Sequence, residues 1–228
     1  MTNLTSYELA DGIATITMDD GKVNALSPEM LGSVAADLDR AEADEAVVVL
    51  TGRAQTFSAG FDLRVEGERW PEMLVAGAGL AERMLSFPLP VVVACNGNAI
   101  TMGGFLLLSA DHRVGAEGDF RIGLNEVMIG LTVPWFGIEI ARHRLARPYF
   151  DRCLATGVLL GPDEARMAGF LDQVVDPDEL TAAARAAASQ LIGVDQAAHS
   201  ATKLRIREQA IAGVRDGIER IMGTGREW

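Results

Sequence analysis

The chain has 228 residues, 49% hydrophobic and 23% charged, with a formal net charge of −12. That length and apolar content fit one domain with an ample core, and the negative charge argues against nucleic acid or anionic lipid as a partner. No apolar run approaches the roughly 20 residues of a membrane-spanning helix, so no membrane association is expected. Met1–Ser6 lacks the basic and apolar regions of a secretory leader. Cys95 and Cys153 lie outside any CxxC pair among apolar neighbours, which suits reduced, buried thiols in a cytoplasmic protein.

Residues 5–18 predict two short strands around a turn at Asp11-Gly12, with Ala14, Ile16 and Met18 alternating against Thr15 and Thr17. Ser27-Pro28-Glu29 starts a helix: serine as cap, proline at the first helical position, an acid in the first turn. It runs to about Ala43 with Met30, Leu31, Val34 and Leu38 on one face. Ala46–Leu50 and Val91–Ala94 are unbroken apolar runs, the pattern of strands covered on both faces. Residues 68–87 read as a helix softened by Gly77 and Gly79, a candidate mobile segment. A helix follows from Met102 to before Asp111, then short strands at 113–116 and 120–122. Helices are expected at 135–146, 148–156 and 162–168, a strand at 171–175, and helix from Pro177 almost to the end. The alanine-rich run at 182–188, broken by Arg185, reads as a surface helix. Strands alternating with helices imply an α/β core with a mostly parallel sheet.

Two glycine-containing segments stand out: Thr56-Phe57-Ser58-Ala59-Gly60-Phe61-Asp62-Leu63, and Asn96-Gly97-Asn98-Ala99-Ile100-Thr101-Met102-Gly103-Gly104-Phe105. A helix beginning at Met102 offers unpaired N–H groups and its positive dipole end, and the glycines permit close approach of a ligand. The same glycines also serve plain helix–strand packing, so neither segment decides alone. Glu126, in Ile122-Gly123-Leu124-Asn125-Glu126, supplies a carboxylate that could move a proton while two backbone donors hold a developing oxyanion. Such a set suits chemistry at the carbon beside a thioester carbonyl.

Asn24-Ala25-Leu26, Phe57 through Leu63, Pro90 through Asp111 and Glu126 through Pro134 together resemble the successive signatures of the enoyl-CoA hydratase/isomerase (crotonase) superfamily. The likeness spans roughly residues 12–175. It implies a crotonase-like spiral of ββα units with a C-terminal helical region, divided as a core over 1–195 and a helical segment over 196–228 for oligomerisation or capping. It further implies an acyl-CoA thioester as partner, a homotrimer or hexamer, and an oxyanion hole made by the N–H groups of Phe61 and Met102. Lys22, Ala25, Ala59, Leu63 and Phe105 are the implied substrate and coenzyme A contacts, with Lys203 a further candidate for the phosphates. Coenzyme A belongs to the substrate, so no separate cofactor is expected.

The family's first acid position falls on Phe105, which cannot transfer a proton, and its second on Glu126. The run around Glu126, with Pro134-Trp135-Phe136, is similar to the Δ3,Δ2-enoyl-CoA isomerase branch. One shuttling base suffices for isomerisation, whereas hydration wants two groups. The expected activity is therefore conversion of a 3-enoyl-CoA to the conjugated 2-enoyl-CoA. Hydration, another crotonase-type thioester reaction and non-catalytic acyl-CoA binding remain as alternatives. Apolar neighbours (Leu124, Val127, Ile129, Phe105) should raise the Glu126 pKa. His112, His143 and His199 have no second ligand at metal spacing, so no metal is expected. Asp111 and Arg113 are expected to pair with each other, and Asp62 to fix its own loop.

Overall fold

A computed structural model describes residues 4–224. The chain runs through β1 (Thr5–Ala10), β2 (Ile13–Met18), β3 (Ala25–Leu26), α1 (Pro28–Ala43), β4 (Val47–Gly52), β5 (Thr56–Ser58), β6 (Gly60–Phe61) and α2 (Arg69–Ser86). It continues with β7 (Val91–Cys95), β8 (Asn98–Ile100), α3 (Met102–Ser109), β9 (His112–Ala116), β10 (Ile122–Gly123) and a 3-10 turn at Glu126–Ile129. Then come α4 (Trp135–Arg144), α5 (Arg147–Thr156), α6 (Pro162–Ala168), β11 (Gln173–Val175), α7 (Leu180–Ile192) and α8 (Gln196–Thr224).

A six-stranded sheet has the order β1-β2-β4-β7-β9-β11, antiparallel only at the β1–β2 hairpin. Parallel strands need crossovers, and each crossover leaves a short strand behind it. Those short strands pair among themselves: β10-β8-β5 in one small sheet and β3-β6 in another. Each turn of the winding thus gives one long strand, one or more short strands and a helical part, one helix in each of the first three turns and three (α4, α5 and α6) in the fourth: a spiral of ββα units.

The unbroken apolar runs are covered on both faces, as their composition predicts. On one side Val48, Leu50, Val91 and Val93 join the main core with α1, α2 and α3; on the other Val47, Val49, Val92 and Ala94 meet Leu180, Ala184 and Ala188 of α7. The alanine-rich helix therefore lays a small-residue face on the sheet, with Arg185 outside against exposed Asp11. Cys95 and Cys153 are buried and unbonded to each other, and burial pushes their thiols up to about 12 and about 11.

The expected helix with Gly77 and Gly79 is present as α2, and two other expectations need correction. Gly77 is there for proximity: a β-carbon on it would lie 2.6 Å from the Phe61 ring and 3.3 Å from Met102 Sδ. The strand expected at 120–122 is only Ile122–Gly123. Asp111 and Arg113 do not pair. The guanidinium of Arg113 reaches Asp172 at 2.5 Å, while Asp111 takes Lys203 and Arg207 of α8 at 2.6 and 2.7 Å. That ionic contact ties α8, which packs on α2 and α4, to the start of β9.

Candidate active site

Phe61 leaves β6 beside β3. The Asp62 N–H donates to Leu26 O at 3.4 Å, and Leu26 is the register partner of Phe61. In a parallel ladder this turns the Phe61 N–H away from β3. The preceding loop is fixed by Ser58, whose hydroxyl donates to Asn24 O at 2.8 Å and accepts the Gly60 N–H at 3.1 Å. The Asn24 amide in turn donates to Met18 O and Phe57 O. After Phe61, Asp62 binds the Arg64 backbone N–H and guanidinium. Asp62 thus holds its own loop, and Arg64 keeps its carboxyl below the usual range.

Met102 opens α3. The first bond of that helix runs from the Phe105 N–H to Thr101 O, 3.0 Å, so the Met102 N–H belongs to the turn whose donors have no partner inside the helix. Its side chain is buried toward Gly77. The helix α2 therefore packs over the side chains of Phe61 and Met102 at once.

Glu126 begins the 3-10 turn. A recess is lined by Phe61, Leu63, Trp70, Leu74, Thr101, Glu126, Ile129, Leu131, Thr132 and Pro134. Within it Glu126 is 5% exposed and its Oε2 has no hydrogen-bond partner. Burial disfavours the charged form and pushes the carboxyl up to about 7, only partly offset by a hydrogen bond from its own backbone N–H. The wall is hydrocarbon and aromatic, with the Phe61 and Trp70 rings tilted at 6.5 Å.

The other predicted contacts divide. Leu63 is on the recess wall and 58% exposed. Ala25 pairs with Gly60 across β3–β6, Ala59 donates its N–H to Val23 O, and exposed Lys22 offers its carbonyl to Arg53. Of these four only Leu63 lines the recess, while Ala25 and Ala59 sit in the strand and loop that lead into Phe61. Phe105 does not join them: it is fully buried, edge-on to Phe136 at 5.7 Å and packed on Gly137. Expected as a substrate contact, it is a core residue. Lys203 is likewise corrected: it is 3% exposed and bound to Asp111 and Leu89 O, so it cannot meet a coenzyme phosphate from there. Trp135 faces outward under Arg220. Thr101, Leu74 and Leu131 line the recess without having been singled out as site residues. Among the described residues no group of three or more His, Cys, Asp or Glu could hold a metal ion.

A buried carboxylate with one oxygen unpartnered, facing a largely apolar slot, can exchange protons with a bound carbon acid. Comparison with known proteins narrows that chemistry. The family model described as enoyl-CoA hydratase/isomerase matches residues 8–214. A solved enoyl-CoA hydratase/isomerase family protein from Pseudomonas syringae is 45% identical, covers 97% of both chains and superposes with a TM-score of 0.95. An enoyl-CoA hydratase structure from Mycobacterium marinum is 39% identical over 97% of this chain and 99% of that one, TM-score 0.94. The mitochondrial enoyl-CoA delta isomerase 1 of Homo sapiens is 29% identical over 86% of this chain and 68% of its own length.

Proposed function

The chain belongs to the enoyl-CoA hydratase/isomerase family, and from that premise we propose that it moves the double bond of a 3-enoyl-CoA into conjugation with the thioester. The observation that carries the reading is Glu126: a carboxylate with one oxygen unpartnered, on the wall of an apolar recess, with a pKa of about 7. A base with that pKa is half ionised near neutrality, where it can both accept and return a proton. The position on α3 where the family places another acid holds Phe105, which is sealed in the core.

Glu126 takes the proton from C2. The C–H electron pair forms the C1–C2 double bond of a dienolate, and negative charge passes to the thioester oxygen. The N–H groups of Phe61 and Met102 receive that oxygen, aided by the dipole of α3. Protonated Glu126 then delivers its proton to C4. The C3–C4 pair forms the new C–H bond, the C2–C3 double bond closes, and the carbonyl is restored. Nothing is oxidised or reduced, and coenzyme A enters only as part of the substrate. Lys22, Ala25, Ala59 and Leu63 are the residues along which the coenzyme would lie.

Single-carboxylate hydration is the second reading, favoured by the 39% identical chain from Mycobacterium marinum, which is described as a hydratase. Product identity separates the two: a 3-enoyl-CoA should gain conjugation absorbance, and a 2-enoyl-CoA should keep its own. Fast loss of 2-enoyl absorbance with inert 3-enoyl-CoA would overturn the isomerase reading. Acyl-CoA binding without turnover of either would favour a binding protein. Glu126→Gln should lower turnover by about 10²–10⁴-fold while acyl-CoA still binds. Wild-type kcat/KM should rise with pH through about 7, because only the ionised carboxylate accepts the C2 proton. A flat profile from pH 5 to 9 would exclude Glu126 as the base.

A further inference from the structure

Thr101 is a polar wall residue of the recess with no role in the reaction above. Its backbone sits at φ 47° and ψ −115°, a conformation natural to glycine and resisted by a β-branched side chain. Among the described residues the other non-glycine ones with positive φ are Asp11, Asn24, Glu45 and Gln55. They lie in turns and loops, and none is β-branched. Thr101 is held in place from both ends: its N–H donates to Gly123 O at 2.9 Å and its carbonyl accepts from the Phe105 N–H at 3.0 Å. Its hydroxyl makes no capping bond to α3.

The side chain presses instead on Gly60. A β-carbon on Gly60 would lie 1.7 Å from Thr101 Oγ1 and 2.7 Å from Ile100 O. Gly60, itself at φ 90°, immediately precedes Phe61, and Thr101 immediately precedes Met102. The peptide plane that carries each donor N–H is thus hinged on one member of this touching pair. The direction of the Met102 N–H is set by ψ of Thr101, and that of the Phe61 N–H by ψ of Gly60.

We propose that Thr101 is a positioning residue: its Oγ1, wedged against Gly60, fixes the gap between the Phe61 and Met102 N–H groups and their relative direction. This rests on those two groups being the oxyanion donors. The wedge works by contact, and the hydroxyl transfers no proton. Strain is kept at the one peptide where a change of direction would unmake the hole, and the hydrogen bonds to Gly123 and Phe105 hold it there.

The test compares wild type with Thr101→Gly and Thr101→Ser by kcat, KM, thermal midpoint and the absorbance of a bound 2,4-dienoyl-CoA. That conjugated thioester absorbs further to the red as its carbonyl is polarised, whatever reaction the protein performs. Thr101→Gly should lose about tenfold or more in kcat with little change in KM, since misplaced donors act chiefly on the transition state. It should also shrink the red shift and leave the thermal midpoint no lower than wild type, because glycine relieves the backbone. Thr101→Ser, which keeps the oxygen, should recover most of both losses. Full kcat and full red shift in Thr101→Gly would overturn the proposal. So would losses matched by a fall in thermal midpoint, which mark a merely structural role, or a serine variant as impaired as the glycine one. Wild type inert toward 3-enoyl-CoA would sink the isomerase reading alone, leaving the red shift to decide on Thr101.

Discussion

Glu126 and Asp111 each carry a carboxylate into the molecule, one on the wall of the recess and the other just ahead of β9, and they differ in how their oxygens are satisfied. Asp111 Oδ1 accepts from Arg207 at 2.7 Å, and its Oδ2 accepts from Lys203 at 2.6 Å and from the Val91 N–H at 2.7 Å. Glu126 Oε2 accepts from nothing. Burial removes water from both; the partners decide the outcome. Around Asp111 the charges are spent on holding α8 against the sheet. Around Glu126 the missing partner leaves a group poised to change protonation, at a cost to the fold. A structural site and a reactive site here use the same functional group, and satisfaction of hydrogen bonds separates them.

The contrast predicts opposite responses to amide substitution. Asp111→Asn would strand two buried cations, Lys203 and Arg207, and should destabilise by about 3–5 kcal/mol, read as a lower urea midpoint. A loss below about 1 kcal/mol would mean the cluster is dispensable and the contrast false. Glu126→Gln should do the reverse at alkaline pH. A carboxyl at about 7 in the folded chain and near 4.5 unfolded holds its proton longer when folded, so wild-type stability falls as pH rises from about 4.5 to 7. At pH 8 the glutamine variant should therefore be more stable by on the order of 3 kcal/mol, and at pH 4 the two should coincide. A variant equally stable or weaker at pH 8 would show that Glu126 finds a partner in solution. The smallest effect concerns α2, where it packs on Phe61 and Met102. Gly77→Ala forces a methyl into the Phe61 ring and should cost about 1–3 kcal/mol, with a fall in turnover that Gly79→Ala, where the β-carbon meets nothing within 4 Å, should not share.

Much of the frame was legible. The cap at Ser27 is present, its hydroxyl accepting the Met30 N–H at 3.2 Å, and α1 spans the predicted Pro28–Ala43. The apolar runs became the inner strands because no other arrangement covers both their faces. The likeness pointed to Phe61 and Glu126, and both line the recess. What could not be read were contacts made across the chain. Phe105 is given as a substrate contact by the resemblance alone, and since all eight residues of α3 are buried, no periodicity marks which side meets the recess. Proximity in sequence pairs Asp111 with Arg113, while its real partners lie 92 and 96 residues further on. Gly77 reads as softness, since a sequence does not say that a ring will lie against it. The backbone of Thr101 left no sign at all, threonine being unremarkable in composition at a helix start.

The reach of α8 back to Asp111 also has a consequence in time. Chains leave the ribosome at about 5–20 residues per second, so 92 residues amount to roughly 5–20 s. During that interval β4, β7 and β9 are already available to pair, yet the acid at the head of β9 has no cation. The nascent sheet waits with one end electrostatically open, and α8, made later, is the helix that closes it.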